Sequence, residues 1–166
     1  MNAIVTTDIT LTLLAALTFW AALNDVREYQ IPNRIVLAVA ALYPVHVLVS
    51  AEPVAWGGAL VVAVVVLIAG MGLFFAGALG GGDAKLLAAV ALWAGPANIV
   101  EFLAITAVLG GAMALFMSGP WRLGMALSLD AAGQTGLRNM LITNFMPYGV
   151  PIAGGVFFLI ARLAFG

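Results

Sequence analysis

Long apolar runs alternate with short polar breaks along the 166-residue chain, and the breaks hold most of its charges. The first run, residues 9 to 23, gives way at Asn24-Asp25 to a polar link that ends at Arg34. A second covers Ile35 to about Val49, and after the Glu52-Pro53 turn a third extends from Trp56 to Leu79, interrupted by Gly70, Gly72 and Gly77. Gly80-Gly81-Gly82-Asp83 precedes a short fourth run, about Ala84 to Ala94, which Gly95-Pro96 stops. A fifth spans about Ile99 to Met117, and a long link, residues 118 to 146, leads to the sixth, Pro147 to Phe165. None of these runs alternates polar and apolar positions as the strands of a membrane barrel do, so all six are predicted helices. No basic segment precedes the first run and no small-residue cleavage site ends it, so it reads as a retained span.

Composition turns these helices into membrane spans. Hydrophobic residues make up 64% of the chain and charged residues 8%, against about 25% charged in ordinary soluble domains. At roughly 20 residues per span, the length fits about six transmembrane helices in a single integral membrane domain, residues 1–166, with no room for a second soluble domain. The expected fold class is therefore all-α, a polytopic membrane protein. A net charge of -1 with scattered basic residues excludes a nucleic-acid partner. The absence of cysteine excludes disulfides, cysteine-bound zinc and a thiol nucleophile. If the six spans alternate in direction, Arg27, Arg34, Lys85, Arg122 and Arg138 fall on one side and Arg162 towards the other, which makes the first side cytoplasmic. Asp25 and Asp83 then reach the same membrane edge. The 118 to 146 link, with Trp121, Leu123, Met125, Leu127 and Leu129 among its polar residues, suits a segment lying along the membrane surface.

An ionisable group at the edge of a span is costly and points to function, with a partner to be named. Asp25 and Asp83 are each other's candidates. Two carboxyls in a poorly solvated site share a proton, and one can then activate water while the other protonates a carbonyl, as in aspartic proteases. Taken singly, Asp83 also reads as a helix N-cap after three glycines and Asp25 as an interfacial charge. Arg27 and Lys85, each two residues after an aspartate, are candidates for tuning the pair or holding substrate, or for anchoring at the cytoplasmic face. Gly80, Gly81 and Gly82 have no side chains to obstruct a substrate strand. Asn33 reads as the N-cap of the second helix, and His46, on the other membrane side, as a structural hydrogen-bonding residue. His46 and Glu101 have no second ligand at helical spacing, so neither a metal nor a cofactor is expected.

The contexts of the two aspartates are more specific than either residue. Asp25-Val26-Arg27-Glu28-Tyr29-Gln30-Ile31-Pro32-Asn33 has the form D-x-R-x-x-x-I-P-N, Gly80-Gly81-Gly82-Asp83-Ala84-Lys85 the form G-x-G-D-x-K, and Pro147-Tyr148-Gly149-Val150-Pro151-Ile152-Ala153 the form P-Y-G-x-x-I-A. In that order they resemble the type IV prepilin peptidases, bacterial G-x-G-D intramembrane aspartyl proteases. The resemblance implies Asp25 and Asp83 as the catalytic pair, prepilins and pseudopilins as substrates, and leader removal at the cytoplasmic face of the inner membrane. Longer members carry a cysteine-containing cytoplasmic insertion and also methylate the new pilin N-terminus. This chain has neither cysteine nor insertion, and so looks like the minimal type serving tight-adherence (Flp) pili, without methyltransferase activity. Two non-enzymatic readings compete. A transporter could use the aspartates as a cation site at a broken helix, although such sites lie near the midplane. A pilus-assembly scaffold could use Gly77 and Gly81 as a GxxxG packing face, but gives no reason for the two aspartates.

Overall fold

A computed structural model describes residues 2–50, 53–119, 121–131, 133 and 146–165 of the chain. The described residues form six helices and no strand: α1 (Asn2–Glu28), α2 (Asn33–Val49), α3 (Trp56–Phe75), α4 (Gly81–Ser118), α5 (Trp121–Ala131) and α6 (Gly149–Phe165). In hydrocarbon every backbone polar group needs an internal partner, which a helix supplies from its own segment. Segments Ile9–Glu28 and Trp56–Phe75 and the 38-residue α4 are long and apolar enough to cross a membrane, and α2 and α6 are shorter apolar helices. The protein is a polytopic membrane protein.

α4 is two helices joined at a kink. Gly95 holds φ 59° and ψ -176°, a conformation essentially confined to glycine, and Pro96 opens the next helix with its fixed φ. The break lies where the Gly95-Pro96 signal predicts it. The first half of α4 packs antiparallel to α3, with Gly70 against Ala84 at one end and Gly58 against Pro96 at the other. The second half returns alongside α6, with Gly155 against Thr106 and Phe102, and Gly110 against Tyr148 and Pro151. At the far end of that pair Arg162 Nε and Glu101 Oε2 lie 3.4 Å apart. α1 packs on α6, and α2 fits between α1 and the first half of α4. Successive passes thus alternate in direction, as the chain pattern predicts. The core joins these helices through Leu14, Val39, Leu86, Val90, Phe102, Ile152, Val156 and Leu159, all nearly inaccessible. Val61, Val64, Val65, Ile68 and Phe75 of α3 point outward, as lipid-facing side chains do.

The end remote from the aspartates is tied by polar contacts inside the bundle. Thr10 Oγ1 and His46 Nδ1 are 2.8 Å apart, His46 packs against Trp93, and Trp93 Nε1 donates to the Val39 carbonyl at 3.1 Å. His46 is thus a structural residue, as its position in the chain suggests.

Several local readings change. α1 continues past Asn24 to Glu28, so Asp25 lies on the helix's last turn and not in a link. It stops at Tyr29, whose N–H donates to the Asp25 carbonyl at 3.0 Å with φ 56°. That left-handed conformation costs a non-glycine residue about 1–2 kcal/mol. α3 ends with Gly77 at φ 74° in a Schellman arrangement, Ala78 N–H to Leu73 O and Gly77 N–H to Phe74 O, each 2.9 Å. Gly77 therefore sits in a turn, and the Gly77/Gly81 helical packing face expected of a scaffold does not exist. Asn33 is the first residue of α2, whose N-cap is Pro32, so the Asn33 side chain is free of capping. Within the 118 to 146 link α5 is helical, while Arg138 and Ala51 lie outside the described residues.

Candidate active site

The end of α1, the start of α2, the α3–α4 turn and the start of α6 meet around a cavity of about 700 Å³. Asp25 and Asp83 both line it, together with Tyr29, Gln30, Ile31, Asn33, residues 77 to 82, Met146 and Tyr148. Both aspartates are nearly buried, at 2% and 7% exposure, and they lie close enough to interact electrostatically. A bundle that keeps two acids out of water at one opening does so against a substantial desolvation cost.

Each aspartate is held by a backbone N–H that a glycine makes approachable. Gly149 N–H donates to Asp25 Oδ2 at 2.8 Å in a buried bond. A Cβ at Gly149 would stand 3.0 Å from both Asp25 Cβ and Oδ2, and 3.3 Å from Ala22 Cα, so any side chain there would push α6 off α1. Asp83 is the third residue of α4, whose N-cap is Gly80, and its carboxylate accepts from the Gly80 N–H. This is the returning half of a capping box, in which an acid in the first turn reaches back to the N-cap N–H. The N-cap reading of Asp83 is corrected by this geometry. A Cβ at Gly80 would come to 2.5 Å from Asp83 Oδ2, and one at Gly82 to 3.2 Å from Ile31 Cβ. The first glycine of G-x-G-D thus admits the carboxylate, and the second admits the chain before Pro32. Among the described residues, Asp83 Oδ1 has no hydrogen-bond partner.

Of the other residues singled out in the sequence, Gly80, Gly81 and Gly82 line the cavity, and Arg27 and Lys85 are not among its lining residues. Both basic side chains are exposed. Lys85 Nζ donates to Asn33 Oδ1 at 3.1 Å, which fastens the second aspartate's helix to the segment that follows the first. Sequence reasoning missed Gly149, Tyr29 and Tyr148. The P-Y-G stretch was visible as a motif, but its bond to Asp25 bridges 124 residues, and no spacing rule reaches that far.

The fold and the cavity define a polytopic helical membrane protein with two buried carboxyls at one end of its bundle. The type IV leader peptidase family profile matches residues 12–115, well over half of the chain and inclusive of both aspartate contexts. The chain belongs to that family and is a peptidase. No curated protein and no solved structure matches it. The P-Y-G element at the start of α6 lies beyond the matched residues.

Proposed function

We propose that this peptidase is of the aspartic type and removes the leader from prepilins of the tight-adherence (Flp) kind, with Asp25 and Asp83 as its catalytic pair. The observation that carries the reading is the cavity with both carboxyls in its wall and glycine backbone on its rim. The pair shares one proton. The ionised member takes a proton from a water whose oxygen attacks the scissile carbonyl carbon, and the protonated member gives its proton to the carbonyl oxygen. Collapse of the tetrahedral intermediate breaks the C–N bond, and the departing amine receives the proton that the water gave up. A helical substrate hides its peptide bonds, so the leader junction must be extended when cut. The irregular 76–80 turn, free of bulky side chains at Gly77 and Gly80, leaves room for it.

The site is proposed to face the cytoplasm from the bacterial inner membrane. The exposed Arg27, Arg34 and Lys85 lie at the end of the bundle that carries the cavity, and basic residues favour the cytoplasmic side. Co-production with a tight-adherence prepilin tests the reading: the precursor shifts to its mature size with the wild-type peptidase and stays full-length with Asp25→Asn or Asp83→Asn. Full cleavage by either variant at normal protein levels would refute the catalytic pair.

A further inference from the structure

Two helices that bring chain into the cavity end in the same backbone conformation by different means. α3 ends at Gly77, φ 74°, and α1 at Tyr29, φ 56°, the only non-glycine residue with positive φ among those described. Glycine adopts that conformation without penalty, and asparagine with little. At Tyr29 the chain keeps a large aromatic side chain where stereochemistry favours none. Tyr29 is half-buried, it lines the cavity four residues after Asp25, and Ile31, Leu79, Met146 and Tyr148 share the wall with it. Strained residues that persist cluster at ligand-contacting positions.

We propose that Tyr29 is a substrate-contacting residue of this peptidase, its ring forming the wall against which the extended peptide lies beside the scissile bond. The proposal rests on the leader-peptidase reading above. The proposed contact is made by the ring face, which Tyr29→Phe preserves. Because Tyr29 N–H also bonds the Asp25 carbonyl, a rival role exists: the residue could merely set the last turn of α1 and so position Asp25. Substitutions that keep the left-handed turn separate the two.

The test titrates a purified tight-adherence prepilin against wild-type peptidase, Tyr29→Gly, Tyr29→Asn and Tyr29→Phe in one detergent, and records thermal unfolding of each. Tyr29→Gly and Tyr29→Asn are expected to raise KM by about tenfold or more, a change equivalent to losing one well-packed aromatic contact. Their kcat stays within a few-fold of wild type, and their unfolding midpoints are equal or higher. Tyr29→Phe keeps the wild-type KM. An unchanged KM in the glycine variant overturns the proposal, as does a loss confined to kcat, which would make Tyr29 a positioning residue. A fall in unfolding midpoint in both turn-compatible variants also overturns it, by making the ring a packing element. A wild-type enzyme that leaves the prepilin uncut removes the leader-peptidase reading itself, so the two failures are distinguishable.

Discussion

Asp25 and Asp83 are each fixed by one backbone N–H, and each of those N–H groups comes from a glycine. Gly80→Ala and Gly149→Ala add one methyl group apiece, at 2.5 Å and 3.0 Å from a carboxylate oxygen. Each is expected to lower cleavage by at least about tenfold, through a misplaced carboxyl rather than a lost one. Gly57→Ala, whose Cβ meets nothing within 4 Å, should leave cleavage unchanged; its helix would gain up to about 1 kcal/mol. Rates at equal membrane protein levels check all three, and a fully active Gly149→Ala would show that the Asp25 hydrogen bond is dispensable. Asp8→Asn and Asp130→Asn lie outside both motif contexts and should retain substantial activity. The aspartates were legible in the sequence because their neighbours repeat a family pattern. The donors were not, because a backbone N–H leaves no mark in sequence except the glycine that exposes it.

At the scale of helices, packing runs through small residues. Gly155→Ala would drive a Cβ into Thr106 Oγ1 and to 2.9 Å from Phe102 Cε2, and overpacking of this kind costs about 1–3 kcal/mol. A lower unfolding midpoint in detergent, with leader cleavage retained below it, is the expected outcome. Unchanged stability would mean that α4 and α6 separate more easily than their contact implies. The helix pattern was legible where apolar runs met strong breakers, as at Gly95-Pro96 and after Val49. It failed at Asp25, where a charge looked like a helix edge. Nothing in Asp25-Val26-Arg27-Glu28 breaks a helix, and the Asp25 carboxyl is held by the Gly149 N–H at the start of α6, a contact that local pattern cannot reveal. The Lys85 hydrogen bond was illegible for the same reason. Its partner, Asn33, lies 52 residues away.

For the whole molecule, the alternation of passes gathers both aspartates, the glycine turn and the start of α6 at one end, and leaves the His46–Thr10 contact and the Glu101–Arg162 pair at the other. Orientation is testable because the chain has no cysteine of its own. Cysteines introduced in residues 27–34 or beside Gly80 should be shielded from an impermeant thiol reagent in intact cells, and one at Ala51 should react. The opposite labelling would put the cavity on the wrong side for a leader. Lacking cysteine and an inserted domain, the protein should also leave the new pilin N-terminus unmethylated, with no added mass of about 14 Da from one methyl group. A methylated amine that requires this protein would contradict that division of labour. The most direct test of the central claim is the mobility of a tight-adherence prepilin co-produced with wild type, Asp25→Asn or Asp83→Asn at matched membrane levels. Complete conversion by the wild type and a fall of at least about 100-fold in each variant is predicted for a proton-sharing pair. Undiminished conversion by either variant would contradict it.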